Sequence, residues 1–384
     1  MLFELASQIT QHGHQVTVVT SDASDGHSRY PAGTFHEDGV TVSRLRSLSQ
    51  FLCYQHRKFI VPEYSRELRH LMASHDVAHF VGSRDFFITV GSHVARQQGL
   101  PYIVTAYGCL PRESFGWKRV VKPVYDRLLT NRVMRVSRLC LAQTRHEAAG
   151  YSGFGVVPER IRLVPLASDP SRFAVLPPRG ALRRRLGITP QEKIVLFVGR
   201  MHYEKGLDLL IHAMRQVARR VANARLVVVG RDDGQEAALR ELVLKCGLSD
   251  KVFFAGALYG RDALTAYVDA DVFALTPRRF EETTLAGVEA CFCGTQVVVT
   301  EQAEIPHLDE SGSGTTVRNE TAVIAEAIAA ALEDDRSIRE RGTAAREMAH
   351  RRLSWPAVLP LYVKAYEDAA ASPVANRCAV PAWG

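Results

Sequence analysis

The chain has 384 residues, 46% of them hydrophobic and 23% charged, with a formal net charge of +7. That length makes room for two ordinary domains, and the composition is globular rather than disordered or disulfide-stapled. No apolar run approaches the roughly 20 residues that span a bilayer, the start MLFELASQITQHGHQ lacks the basic head and apolar core of a signal peptide, and seven scattered cysteines fit reduced thiols in a cytoplasm. The positive charge permits an anionic membrane or a phosphorylated ligand; without an aromatic-rich platform, no nucleic acid is expected.

In chain order, Leu2, Leu5, Ala6 and Ile9 form a helical stripe, Gly13 sits where a C-cap belongs, and Val16–Thr20 reads as a strand. A doubly wound domain ordinarily opens with a strand and a Gly-rich turn ahead of such a helix. The expectation is therefore an N-terminal domain lacking its first strand and Gly-rich loop. Further strands are expected at Val40–Leu45, Asp76–Val81, Pro101–Thr105, Leu139–Gln143 and Ile161–Pro165, and helices at Glu63–Ala73, Phe86–Gln98, Trp117–Val136 and His146–Gly153. The helix Trp117–Val136 carries Lys118, Arg119, Lys122, Arg127, Arg132 and Arg135; such a face is either solvated or laid on an anionic membrane. Residues 170–190, with Pro170, Pro177, Pro178 and Pro190, read as a connection with a short helix.

The second half is more regular. Strands are expected at Ile194–Gly199, Leu226–Gly230, Val252–Ala255, Val272–Leu275 and Gln296–Thr300, with room for helices between them, as in a parallel sheet covered on both faces. Within IVLFVGRMHYEKGLDLLI, a buried strand gives way at Gly206 to a helix whose Leu207, Leu210, Ile211 and Met214 share one face. The loop between holds Arg200 and Lys205. In an open parallel sheet this edge is where ligands sit, and two cations beside a helix N-terminus suit a phosphate or diphosphate; the alternative is a surface turn with two solvated cations.

The second informative stretch is FEETTLAGVEACFCGTQVVVT, which opens at the same sheet edge. Thr283 and Thr284 are N-cap candidates that would aim the amides of Leu285 and Ala286 at a ligand. Glu281 lies in the loop and Glu289 on the helix. A carboxylate can accept two vicinal sugar hydroxyls, and Glu289, set in the apolar run Leu285–Cys293, must find a partner or line a cavity.

These residues carry a resemblance. VGRMHYEKGLDLLIHA, ARLVVVGRD, KVFFAGALYG, YVDADVFALTP, FEETTLAGVEACFCGTQVVVT and the LSW before the last helix resemble the retaining glycosyltransferases of the GT-B fold, glycosyltransferase family 4. The resemblance covers most of residues 139–370 and is looser over 1–138. It implies an α/β protein of two Rossmann-like domains facing across a cleft: 1–170 the N-terminal acceptor domain, 171–190 a linker, 191–355 the nucleotide-sugar donor domain, and 356–384 a C-terminal helix and tail, the helix packing back on the N-terminal domain. It implies transfer of a sugar from a nucleotide donor, UDP- or GDP-linked, to a saccharide or lipid-linked saccharide in the synthesis of a cell-surface polysaccharide or glycolipid. By position, Arg200 and Lys205 would bind the diphosphate and stabilise the leaving charge. Glu289 would bind the ribose, Glu281 the sugar hydroxyls, and the amides of Thr284 and Leu285 would add phosphate contacts. No metal is implied, and Asp269-Ala270-Asp271 is not read as a metal motif.

Tyr107 and Gly108, and Arg112 after them, would lie on the acceptor side, where the family usually has His before the Gly; a phenol lacks imidazole's proton chemistry. Glu282-Thr283-Thr284 stands where the family commonly has Gly-Phe-Gly, and Thr admits a ligand less closely than Gly. These departures keep a second reading open: a catalytically inactive relative that binds a nucleotide or a partner. A nicotinamide-dependent oxidoreductase would need a G-x-G-x-x-G turn after a strand, and none occurs. His79 is either a cleft residue or a satisfied core histidine, and Asp169 reads as structural.

Overall fold

The computed structural model describes residues 2–24, 28–56, 59–110, 118–282 and 284–371. The chain divides into two compact units, residues 1–165 with the chain from Val358 onward, and Leu166–Ala357.

In the first unit α1 (Leu2–Gln11) buries Leu5, Ala6 and Ile9. β1 (Thr17–Ser21), β2 (Gly33–Glu37) and β3 (Val40–Leu45) form a sheet in the order β1-β3-β2, β3 lying parallel to β1 and antiparallel to β2. The β2–β3 hairpin, absent from the expected elements, turns at Asp38 (φ 47°) and Gly39 (φ 78°), the positive-φ pair that an Asp-Gly turn favours. After α2 (Gln50–His56) and α3 (Tyr64–Met72) come β4 (Ala78–Val81), α4 (Phe86–Gln98) and β5 (Tyr102–Thr105). Asp85 caps α4 by accepting from the Ile88 amide at 3.0 Å, and Gly99 (φ 70°) ends it.

The helix expected over Trp117–Val136 is broken. Trp117 lies outside the described residues, and the rest comprises α5 (Lys118–Tyr125), a π-helical turn at Asp126–Thr130 and α6 (Asn131–Val136). The turn carries Asp126, which is buried and held by Arg84 through bonds of 2.6 and 3.1 Å. β6 (Leu139–Ala142), α7 (Arg145–Ser152) and β7 (Ile161–Leu163) complete a parallel sheet ordered β4-β5-β6-β7, whose inner strands β5 and β6 are fully buried. Among the described residues no pairing joins this sheet to the first one, so β1 and β4 each keep one unpaired edge.

The second unit has one six-stranded parallel sheet. Its elements are α8 (Ala181–Leu186), β8 (Lys193–Val198), α9 (Leu207–Arg220), β9 (Ala224–Val229), α10 (Glu236–Lys245), β10 (Val252–Gly256), α11 (Gly260–Asp269), β11 (Val272–Leu275), α12 (Leu285–Phe292), β12 (Gln296–Thr300), β13 (Gly314–Val317), α13 (Thr321–Glu333) and α14 (Asp335–Arg352), followed by α15 (Trp355–Ala371), most of which belongs to the first unit. The divide between the units falls within α15. α9 buries Leu207, Leu210, Ile211, Met214 and Val217, the stripe its 3.6-residue period specifies.

Residues 171–190, expected to be a linker, lie within this unit, and Phe173, Leu182 and Ile188 join its core. Phe173 is fully buried and stacks on Phe292 with ring centroids 4.7 Å apart. The Asp269 carboxylate accepts from the amides of Gly180, Leu182 and Arg183 and so caps α8. Asp271 takes Arg183 at 2.8 Å and the Ile194 amide at 2.7 Å. Four prolines mark this segment in the sequence, but these two buried carboxylates decide where it lies.

Candidate active site

The second unit's strand order, β10-β9-β8-β11-β12-β13, places the site. From β8 the chain winds through α9 to β9 and β10; from β11 it winds through α12 to β12 on the other side. The winding reverses between β8 and β11, the point at which the carboxyl edge of an open α/β sheet forms its ligand crevice. One loop carries Arg200 and Lys205, the other Glu281.

The two loops are locked together. Gly206 begins α9 with φ 63°. A Cβ there would stand 2.0 Å from the Thr276 carbonyl oxygen, so only glycine allows this approach. Thr276 Oγ1 then donates to the Gly206 carbonyl at 3.0 Å. Lys205 Nζ donates to Glu281 Oε1 at 2.5 Å, with the two side chains 20% and 16% exposed. Arg278 pairs with Asp208, lies 4.4 Å over the Tyr203 ring, and donates through its amide to the Glu204 carbonyl at 2.9 Å. The Glu281 amide donates to the Gln302 carbonyl at 2.7 Å. Glu281 Oε2 is buried and receives no hydrogen bond among the described residues.

Arg200 does not join this pair. Its guanidinium meets Asp233, in the loop after β9, and both are part-exposed. Of the two cations read from the sequence, Lys205 thus sits in a sheltered ion pair and Arg200 in a solvated one.

Thr283 lies outside the described residues. Thr284 occupies the N-cap position of α12, but its hydroxyl does not cap the helix. It donates to the Glu304 carbonyl at 3.2 Å. The amides of Leu285 and Ala286 make no hydrogen bond among the described residues, which leaves the partial positive charge of the helix start unanswered by the cap. One turn and more along α12, Glu289 is held from two sides: Tyr267 donates to Oε2 at 3.0 Å and Arg172 to Oε1 at 3.1 Å. Burial, then the Glu289 charge, pushes the Tyr267 hydroxyl well above its usual pKa. Neither partner was foreseen. Arg172 sits 117 positions away in a turn at Pro170–Phe173, and nothing local in the sequence pairs it with Glu289.

In the first unit, Tyr107 and Gly108 follow β5. Tyr107 has φ 46°, a strained conformation for a bulky side chain. Its hydroxyl lies 3.2 Å from that of Tyr362 on α15, and burial raises its pKa. The Gly108 amide donates to Glu147 Oε1 at 2.8 Å, and the Gln143 amide to Oε2 at 2.9 Å. Glu147, only 1% exposed, thus fixes the loop, and the sequence reading missed it. Arg112 lies outside the described residues. His79 is a satisfied core residue: its ring nitrogens meet Tyr366 at 2.8 Å and Thr105 at 2.7 Å, and burial lowers its pKa to about 4.

Comparison with known proteins adds to this geometry. Residues 178–348 match the family of glycosyl transferases group 1, and residues 1–167 match a glycosyl transferase 4-like domain; between them the two take in most of the chain. The chain belongs to this family. It is 32% identical over 248 residues to D-inositol 3-phosphate glycosyltransferase of Xylanimonas cellulosilytica, a match that spans 61% of this chain and only 58% of that relative. Its backbone resembles sucrose-phosphate synthase of Thermosynechococcus elongatus, with a TM-score of 0.71 at 19% identity over 95% of this chain and 92% of that one. HepE of Anabaena in complex with UDP and glucose gives 0.68 at 17% identity, over 91% and 99%. The fold of this chain is GT-B.

Proposed function

We propose that this glycosyltransferase moves a hexosyl group from a nucleoside diphosphate sugar, UDP- or GDP-linked, to a saccharide or lipid-linked saccharide, with retention and without a metal. The carrying observation is Glu281: one carboxylate oxygen takes Lys205 at 2.5 Å and the other is buried and takes no donor among the described residues. An acceptor of that kind suits a sugar hydroxyl, since a buried lone pair gains most from a donor it lacks. Lys205, Arg200 and the amides of Leu285 and Ala286 supply positive charge at one sheet edge for the diphosphate. Their charge would stabilise the leaving group as its bond to the sugar lengthens, which makes positioning and electrostatics the main catalytic terms. Glu289, oriented by Tyr267 and Arg172, would receive the ribose hydroxyls. In this reading the departing phosphate takes the acceptor's proton on the face it leaves, and configuration is retained. HepE, solved with UDP and glucose, supports a UDP-linked donor by likeness of fold.

One observation favours the second reading, a nucleotide-binding relative without turnover. The Tyr107 hydroxyl is tied to Tyr362 inside its own unit rather than offered to a ligand.

Calorimetric titration of UDP, GDP, ADP and their sugar conjugates into the chain and into Lys205→Ala tests the proposal. One nucleotide should bind and lose its affinity in the variant. A folded chain that binds none of them would overturn the donor assignment. Nucleotide binding without consumption of any sugar conjugate would favour the inactive relative.

A further inference from the structure

Two adjacent aspartates follow β9, and they have different partners. Asp232 is taken up by backbone: its Oδ1 accepts from the amides of Gly234, Gln235 and Glu236 at 2.9, 2.9 and 3.0 Å, at the turn into α10. Asp233 meets Arg200, the cation that the proposed function gives to the diphosphate. The two loops do not need this ion pair to stay together. Met201 and Asp232 form a parallel β-bridge, in which the Met201 amide donates to the Arg231 carbonyl at 2.9 Å and the Asp233 amide to the Met201 carbonyl at 3.2 Å. Just before it, Gly230 (φ 156°) passes so close to Gly199 that a Cβ would strike the Gly199 carbonyl oxygen. Met201 itself is buried. Backbone and core thus fix both loops. The guanidinium and the carboxylate meet on top of that frame with their side chains 48% and 34% exposed, and an ion pair so open adds little to stability.

We propose that Asp233 is the exchangeable counterion of Arg200, and that it sets how tightly the crevice holds the nucleoside diphosphate product. The inference rests on the assignment of Arg200 to the diphosphate. A diphosphate takes a guanidinium through two parallel bonds and brings more negative charge than one carboxylate. The incoming donor therefore displaces Asp233, and the solvated pair gives way at small cost. The displaced carboxylate stays beside the site, because the Met201–Asp232 bridge holds its loop in place. There it faces the phosphates as a like charge. The penalty falls hardest on the product, whose terminal phosphate gains negative charge when its bond to the sugar breaks. Cations that stabilise a leaving group also retain it, and product release limits turnover in many enzymes. A resident anion that recaptures Arg200 works against that retention. The Lys205–Glu281 pair is not equivalent, because it is sheltered and its free carboxylate oxygen is given to the sugar.

The test is a double-mutant cycle, read by calorimetric titration of UDP and of GDP into the full chain, Asp233→Asn, Arg200→Gln and the double variant. Asp233→Asn should bind the nucleotide roughly fivefold more tightly, the upper worth of an exposed pair, whereas Arg200→Gln should weaken binding. In the Arg200→Gln background the Asn substitution should tighten binding less than about twofold, because the two residues act through each other. Asp233→Glu, which keeps the charge, should stay close to the parent. Urea unfolding of each variant, expected to match the parent, separates counterion exchange from a structural effect. Unchanged or weaker binding in Asp233→Asn, beside weakened binding in Arg200→Gln, overturns the inference and leaves the diphosphate site standing. Equal tightening with and without Arg200 overturns it as well, since the carboxylate would then act by repulsion alone. Parent affinity in Arg200→Gln, or a folded parent chain that binds neither nucleotide, removes the donor reading itself and the inference with it.

Discussion

Lys205 and Glu281 meet across the point where the second unit's sheet reverses its winding, Nζ to Oε1 at 2.5 Å. The bond joins the loop after β8 to the loop after β11, so the two charged groups closest to the crevice are positioned before any ligand arrives. Both are sheltered, and neither is fully desolvated. Removing Lys205 does two things at once: it takes a cation from the crevice and leaves a part-buried carboxylate without its partner. Lys205→Ala should lower unfolding free energy by about 1 kcal/mol, between the surface and buried limits for ion pairs, and weaken donor binding more than tenfold. Urea titration read beside calorimetry separates the two losses. Wild-type kinetics in this variant would remove the basis of the phosphate assignment.

The two glutamates should divide their labour. Glu281→Ala is expected to cut turnover more than nucleotide affinity, because its free oxygen faces the sugar in the proposed pose. Glu289→Ala should weaken nucleotide binding. Tyr267→Phe keeps the ring and deletes only the donor to Glu289; it should raise the donor KM a few-fold with kcat unchanged, the loss of about one hydrogen bond. Equal effects on kcat and KM for all three variants would contradict this division.

Gly206→Ala should be among the most damaging small substitutions. The new Cβ would press on the Thr276 carbonyl at 2.0 Å in a φ of 63°, so the loop after β8 must move away from the loop after β11. A loss of roughly 2 kcal/mol or more is expected from backbone strain and overpacking together, measured by urea unfolding, with donor binding falling in parallel.

His79 predicts a pH dependence. Its folded pKa, about 4, lies below the usual 6.5 because burial disfavours the charged ring. The unfolded chain therefore takes up a proton that the folded chain refuses. The contribution is unchanged above about pH 6.5, is lost as pH falls from there toward 4, and levels off below. Between pH 7 and pH 5 the expected loss is about 2 kcal/mol. His79→Gln should flatten that slope, even though it lowers stability at every pH by disturbing Tyr366 and Thr105.

Arg183 is 6% exposed and Asp271 5%, and they face each other at 2.8 Å. Arg183→Met leaves the carboxylate buried with fewer donors and should cost about 3 kcal/mol; Arg183→Met with Asp271→Asn should recover part of it. A double-mutant cycle by thermal or urea unfolding gives the coupling.

Much of the second unit was legible because its periodicities are strong. Buried strands such as Ile194–Gly199 and a striped helix such as Leu207–Arg220 can be read directly, and an apolar run around Glu289 announces that the carboxylate needs a partner. Which partner it finds was not legible, because Tyr267 and Arg172 come from distant segments and the choice is made by packing. The Thr284 hydroxyl was expected to cap its own helix, but the Glu304 carbonyl lies within reach and wins it. The first unit was harder. In β2 only Phe35 is shielded between exposed neighbours, so the strand shows little alternation, and its Asp-Gly turn was the one usable cue. The π-helical break at Asp126 was not foreseen; Pro123, three residues before it, was the one cue to a kink or a later start of the helix. The position of Tyr107 after β5 was readable; its bond to Tyr362, 255 residues away, was not.

The buried carboxylates of Asp269 and Asp271 bear on how this chain can be dissected. They hold residues 180–183 and the start of β8 from inside the fold. A fragment started at Lys193 because the prolines before it resemble a linker would strip three amides from Asp269 and two guanidinium groups, Arg179 and Arg183, from Asp271. It would expose charge where the intact unit has none, and it would aggregate or be digested. A cut ahead of Pro170 spares that network, while at the other end the boundary runs through the continuous helix α15. A protease given the folded protein should therefore pass over the proline-rich stretch, the place where a reader of the sequence alone would aim it.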